Sequence, residues 1–425
     1  MIRRTLAAAS VALALVAAAP AHAAQPLPVS FHAWTAAFDF TAPGSSFEGA
    51  KLTKDGGGIT YGSTAGTAAY SDAYGSPART YSYARWTSPW FQTEFGFTEL
   101  VSSWNATTPA GTWIQVEMAA TRDGGATSTK WYTMGRWASG DGDIRRNSVG
   151  GQGDADGYVA IDTFFAKDHA FTGYRLRVTL WKLPGSSAGP TVSSVGAVAS
   201  DMPNANPYVP SPLGGAEGIE LAVPRFSQEI HTGEYPQFDG GGEAWCSPTS
   251  TSMILAYWNR GPAPADYAYV LDDYPSVIDP WVDFAARATY DYHYQGAGNW
   301  PFNTAYAATY GLEAEVTQLR SLNEAEQFIK AGIPLVASIA FEPNKLDGFL
   351  FRGTDGHLLT IVGFDAAGNV ISNDPASSSD ATVRHVYDRA QFEKAWLHAT
   401  GGIVYVIHPA SAPLPPPAVP SQPNW

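Results

Sequence analysis

Cysteine is all but missing from this sequence. Its 425 residues hold one, Cys246, so no disulfide can form within the chain. Basic residues are scarce as well, 25 Lys and Arg against 39 Asp and Glu, which leaves a net charge of −14. Polyanion binding needs clustered Lys and Arg to meet phosphates, so nucleic acid is excluded as an expected partner. There is no His-Glu-x-x-His segment, no cysteine pair and no EF-hand-type loop, and the scattered Asp and His residues show no ligand spacing. No metal and no other cofactor is expected. After the first residues, no apolar run reaches the ~18 residues of a membrane-spanning helix.

What the sequence does have begins with a secretory pattern. Arg3 and Arg4 precede an Ala/Val/Leu stretch from Leu6 to Ala19, and Pro20-Ala21-His22-Ala23-Ala24 follows as a small-residue cleavage site. Residues 1–24 are read as a signal peptide cleaved near Ala23 or Ala24, which makes the protein secreted. No cysteine stands at the cleavage site to take a lipid, so no membrane anchor is expected. The ~400 residues that remain exceed what one hydrophobic core usually serves, and two domains are expected.

The first domain, residues 27–199, is rich in Thr, Ser, Gly, Trp and Tyr. Short alternating runs such as Thr112 to Met118 and Tyr174 to Leu180 are separated by turn signals such as Arg122-Asp123-Gly124-Gly125. Period-two alternation broken by Asp-Gly and Gly-Gly predicts antiparallel hairpins in an all-β sandwich or barrel. Eight of the 14 tryptophans lie here, including Trp86, Trp90, Trp104, Trp113, Trp131 and Trp137. They suit the packing of two sheets, and exposed members would suit a substrate-docking or glycan-binding surface.

Residues 200–218 hold four prolines and little that could pack, and read as a linker. The second domain, residues 219–408, is expected to be α+β. Helices are predicted over 249–259, over 323–330 with Asn323 as cap, and over 389–398, with strands at 333–341, 357–365, 369–372 and 401–408. Residues 409–425 are proline-dominated and are expected to form an extended, mostly disordered tail.

Cys246 follows Gly240-Gly241-Gly242-Glu243-Ala244-Trp245 and precedes Ser247-Pro248-Thr249. Proline is favoured in the first turn of a helix, where its missing N–H is not needed, so Cys246 is placed at a helix N-terminus. There the unpaired N–H groups favour a thiolate and can bind a developing oxyanion. A thiol attacking an acyl group needs a base, usually an imidazole. Among nine histidines, His357 stands out because a glycine-bearing turn delivers it to the start of the apolar run Leu358 to Phe364, where it would be held by a sheet yet open to a cleft. A hairpin about Ala366-Ala367-Gly368 would return Asn373 and Asp374 to its level, where either could orient the ring. His231, His293, His385, His398 and His408 have no comparable context and read as structural.

The run Val223-Pro224-Arg225-Phe226-Ser227-Gln228, then Trp245-Cys246-Ser247-Pro248-Thr249-Ser250, then Gly356-His357 to Phe364, then Asn373-Asp374-Pro375 resembles the double-glycine-leader, bacteriocin-processing cysteine peptidases and their secreted bacterial relatives. The resemblance spans about Leu221 to His408 and implies a papain-like fold. It makes Cys246 the nucleophile, His357 the general base and acid, Asp374 the orienting residue and Gln228 the second oxyanion donor. This chain has Ser247 where the family usually has glycine. It also sets about 17 residues between Gln228 and Cys246, so Gln237 stays a competitor for the oxyanion role, as Asn373 does for that of Asp374.

The expected activity is hydrolysis of an amide bond in a peptide or protein through an acyl-thioester. The same residues would serve a cell-wall amidase or transamidase. A chain that had lost catalysis would instead be a surface- or glycan-binding protein on a decayed papain-like fold.

Overall fold

The computed structural model describes residues 27–202 and 209–425. The expected signal peptide and the middle of the expected linker lie outside the described residues. Among these residues no helix is long and apolar enough to cross a membrane.

Residues 29–200 form two seven-stranded sheets. One centres on the strands Glu99–Thr107 and Thr191–Ser200, the other on Thr112–Thr121 and Phe171–Lys182. All the pairings between these strands are antiparallel. The alternating runs singled out in the sequence are the second pair, and their inward side chains, Val116, Met118, Leu176 and Val178, are fully buried. Trp86, Trp104, Trp113 and Trp137 are at most 1% exposed, so these tryptophans are core. Trp90 and Trp131 lie nearer the surface, but the Arg175 guanidinium stacks on both and Arg177 covers Trp131. Cation–π contact of this kind takes up ring surface on which a sugar could otherwise stack.

The second half opens with helices, Cys246–Tyr257, Ala268–Asp273, Pro280–Thr289 and Trp300–Ala308. An antiparallel six-stranded sheet follows. Its order is Glu313–Gln318, Ile403–His408, Leu335–Phe341, Thr354–Phe364, Val370–Asn373 and Arg384–Tyr387. The helix Leu322–Lys330 starts after Ser321 rather than at Asn323. The Asn323 amide instead donates to the Pro212 carbonyl.

Two expectations about unpacked segments are corrected. Residues 209–218 of the expected linker are tied down by Arg389, which donates to the carbonyls of Ser211 and Pro212, and by Ser211, whose N–H reaches Glu393. The segment 409–425 is not a disordered tail. Asn424 is fully buried and bonded to Arg320, Glu324 and Gln318, while Trp425 meets Phe328 edge-on. Composition marked these prolines as unable to join a helix or sheet. It did not register that the two residues after the last of them carry an amide that completes a buried charge cluster and an indole that packs on Phe328.

The two halves share one core. Phe302 packs against Trp104 and Trp137 across the boundary, and the cluster continues into Ile254 and Leu255 of the helix that starts at Cys246. Asn105 donates to the Ala314 carbonyl and accepts from the Ala314 N–H, and Val316 N–H reaches Ser103 Oγ. These bonds cap the outer edge of the strand Glu313–Gln318, which would otherwise present unpaired backbone groups. Arg146 donates to the Arg287 carbonyl, and Ser148 N–H to Asp291.

With the core continuous, both halves should unfold together. Chemical denaturation followed by circular dichroism and by limited proteolysis is expected to give one coincident transition, and Phe302→Ala should lower its free energy by about 3–5 kcal/mol. Two well-separated transitions would contradict a shared core.

Candidate active site

The helix Cys246–Tyr257 begins on the cysteine itself, and no side chain caps its first turn among the described residues. Pro248 is the third helical residue, where an N–H would have no acceptor within the helix. The unpaired N–H groups of the first turn thus lie at the same end of the helix as the thiol. Three successive left-handed glycines, Gly240 to Gly242, bring the chain into this helix. A side chain at Gly241 would stand 2.3 Å from the Glu234 carbonyl, and one at Gly242 2.6 Å from the His231 backbone, so the close approach requires glycine. Trp245, fully buried, fixes the last step by donating its indole N–H to the Phe238 carbonyl.

His357 lies on the strand Thr354–Phe364, three residues in from its start, and pairs with Ile339. The next strand, Val370–Asn373, returns after a turn in which Asp365 accepts from the N–H groups of Ala367 and Asn369, and Gly368 takes a left-handed conformation. The register sets Asn373 opposite Thr360, so Asp374 follows at the level of the histidine. Its Oδ1 lies 2.8 Å from His357 Nε2 and also accepts from Ala376 N–H, and its Oδ2 accepts from the Tyr387 hydroxyl. Asn373 points elsewhere, donating to the carbonyls of Val223 and Pro224. Between the two candidates for orienting the ring, only Asp374 touches it.

With Nε2 turned to Asp374, Nδ1 is the nitrogen left for Cys246, whose thiol lies near enough to act on the charge of the ring. Burial disfavours the imidazolium. The charge and hydrogen bond of Asp374, with a smaller contribution from Cys246, outweigh burial and push His357 up to about 10. Burial likewise opposes the Asp374 carboxylate, but His357 and Tyr387 hold it below the usual carboxylate range.

The histidine is not open to a cleft, as its position in the sequence suggested. It is 3% exposed, with Phe349 and Phe351 of the preceding loop meeting its ring edge-on. Cys246, partly exposed, is the accessible member of the pair. Ser247 turns inward instead of filling the space before the thiol, and its hydroxyl meets that of Tyr405, 2.9 Å away on the strand Ile403–His408.

Gln228 is buried beside both loops. Its backbone N–H donates to the Pro375 carbonyl, next to Asp374, and its Nε2 donates to the carbonyl of Glu243, three residues before the cysteine, and to Glu229. Gln237 is exposed and lines a separate cleft of ≈ 620 Å³ between the two halves, with Tyr74, Tyr235 and Arg287. Sequence reasoning missed Tyr387, Phe349 and Phe351, because no spacing in a single sequence links them to the histidine they surround.

A family model described as Peptidase C39 N-terminal domain matches residues 30–200, and one described as Peptidase C39 like family matches residues 220–404. No curated protein matches the chain. Structures of infectious bursal disease virus, Gt and Gx strains, overlay with TM-scores of 0.20 and 0.18. Their identities are 11% and 14%, over 45% and 47% of this chain and 36% and 38% of theirs. A catalytic domain of a GH87 alpha-1,3-glucanase in complex with tetrasaccharides overlays at 0.17, with 12% identity over 46% of this chain and 33% of that one. The chain spans between 33% and 38% of the length of these structures, and overlays so low say nothing of its fold. The two family matches cover the β half and the half that carries Cys246 and His357, and together they make the chain a relative of the C39, bacteriocin-processing cysteine peptidases.

Proposed function

We propose that this protein is a secreted cysteine peptidase whose papain-like second half cleaves peptide bonds with Cys246, His357 and Asp374. The observation that carries the reading is the position of His357, held through Nε2 by a buried, fully hydrogen-bonded carboxylate and facing a thiol at a helix start. The Cys246 thiolate attacks the substrate carbonyl carbon, and the oxygen takes up negative charge beside the N–H groups of the first helical turn. The His357 imidazolium gives its proton to the departing amine as the C–N bond breaks. The neutral imidazole then takes a proton from water, whose oxygen displaces the thiolate from the acyl group. Asp374 holds the ring and stabilises its charge, a positioning role that a decayed site would have no reason to keep so fully bonded.

Cys246→Ala should abolish peptide hydrolysis and leave the far-ultraviolet circular dichroism unchanged. Full turnover by that variant would end the reading.

His357 also sets the alkaline limit. Because its value is raised from 6.5 to about 10, its contribution to stability is complete below 6.5 and is lost as pH rises through about 10. Turnover should fall on an alkaline limb at that upper value. Asp374→Asn removes the main raising influence and leaves burial, so the limb should move down by roughly 1–3 pH units. An unmoved limb in a folded variant would show that another group sets it.

Gln228 is assigned the second oxyanion donor, its amide turning from Glu243 toward the substrate oxygen. Gln228→Ala should then lower kcat by about 10²–10³ with little change in KM. A loss of thermal stability with kcat intact would assign it instead to holding the Glu243 loop.

A further inference from the structure

Fifteen residues before the nucleophile, His231 closes a short helical turn, Glu229–His231, and its imidazole is fully buried. Two carboxylates converge on the same ring nitrogen. Glu234 Oε2 lies 2.9 Å from Nδ1 and Asp283 Oδ2 lies 3.0 Å from it. Asp283 comes from the helix Pro280–Thr289 and is itself fully buried. One nitrogen carries at most one proton, and the Nδ1 hydrogen bond runs to Glu234. Among the described residues, neither oxygen of Asp283 accepts a hydrogen bond. A fully buried carboxylate that must share one ring nitrogen with a second carboxylate is a costly arrangement, because a buried charge loses its hydration and is only partly compensated.

The three ligand atoms, one nitrogen and two carboxylate oxygens, all lie within 4.8 Å of one another. Bonds of about 2.0–2.1 Å to a small divalent ion set neighbouring ligand atoms about 3.0–3.4 Å apart, close to the two distances found here. An imidazole among the donors suits first-row transition ions, whereas calcium prefers a larger shell made only of oxygen. Glu234, whose side chain is 17% exposed, leaves a way in for the ion. We infer that His231, Glu234 and Asp283 form a binding site for a divalent first-row transition cation, which pins the loop before the catalytic helix to the helix Pro280–Thr289. Three side chains leave room for water in the remaining coordination positions. The cation would neutralise both carboxylates and give Asp283 a bond of its own in place of a shared claim on His231 Nδ1.

The site sits against the entry to the catalytic helix. The His231 ring lies 6.2 Å from that of Trp245, and the glycine run before Cys246 packs on the backbone of His231 and Glu234. Its expected role is structural. No spacing along the chain announces it, since His231 and Glu234 are only three residues apart but Asp283 arrives from a distant helix.

The test uses the untagged full chain with Cys246→Ala, so that no thiol competes for metal, after dialysis against a chelator. Zn²⁺ or Mn²⁺ should bind at one equivalent per chain by titration calorimetry and raise Tm by about 3–5 °C at hundredfold excess over the dissociation constant. Adding Asp283→Asn should abolish both effects. Should that variant fail to fold, Glu234→Gln, at the more exposed edge, is expected to weaken binding at least tenfold. No binding in the parent, undiminished binding in a folded Asp283→Asn variant or in Glu234→Gln, or stabilisation by Ca²⁺ and Mg²⁺ alone would overturn the inference.

Discussion

The strand Glu313–Gln318 pairs with a neighbour on one side only, and its other edge is closed by the side chains of Asn105 and Ser103 from the opposite half of the molecule. Much of the remaining architecture depends on that seam. An amide that both gives and takes a backbone hydrogen bond imitates a neighbouring strand at a single residue. It fixes position along the strand as well as contact. Around it the indoles of Trp104 and Trp137 meet Phe302, so a directional polar pair sits within a nondirectional apolar core. Burial supplies most of the adhesion, while Asn105 allows only one alignment.

Cys246 and His357 are held by elements that rest on this seam. Cys246 begins a helix whose Ile254 and Leu255 belong to the shared core. His357 stands on a strand whose next residue, Leu358, belongs to the same core, and the helix touches that strand where Ser250 Oγ donates to the Leu358 carbonyl. Helix and strand are thus fixed against one another one residue beyond the imidazole. The β half has an architectural part in the site, for its packing limits how far thiol and ring can drift apart.

How much of this could be read from sequence varies with the range of the interaction responsible. The strand-forming runs 112–118 and 174–180, the helix at Cys246 and the His357 hairpin are set by alternation, turn chemistry and the first-turn proline, all of them local. The helices Pro280–Thr289 and Trp300–Ala308 went unrecognised. The second has apolar or small residues nearly all round because it is buried between the two halves, so it shows no amphipathic period. Tyr387 completes the shell of Asp374 from a short edge strand, a relation that exists only once Val370 pairs with Tyr387. Proline content misrepresented the segment 409–425, since proline excludes a regular ladder but leaves side chains free to pack.

The wide gap between Gln228 and Cys246 shows why spacing along a chain is a poor guide to spacing in a site. The intervening residues leave Gln228 through a short helical turn, fold over His231 and return through left-handed glycines, so that the Glu243 carbonyl comes within 2.6 Å of the Gln228 amide. A loop of this length closes at modest entropic cost. Closure alone would not hold its two ends in one geometry. Three interactions do: the Gln228 N–H on the Pro375 carbonyl, the Trp245 indole on the Phe238 carbonyl, and the buried charges gathered at His231. The first two are complete hydrogen bonds, whereas in the third two carboxylates converge on one ring nitrogen. The order of the loop, and through it the direction in which the helix starts at Cys246, therefore rests most heavily on how that third cluster resolves its charge.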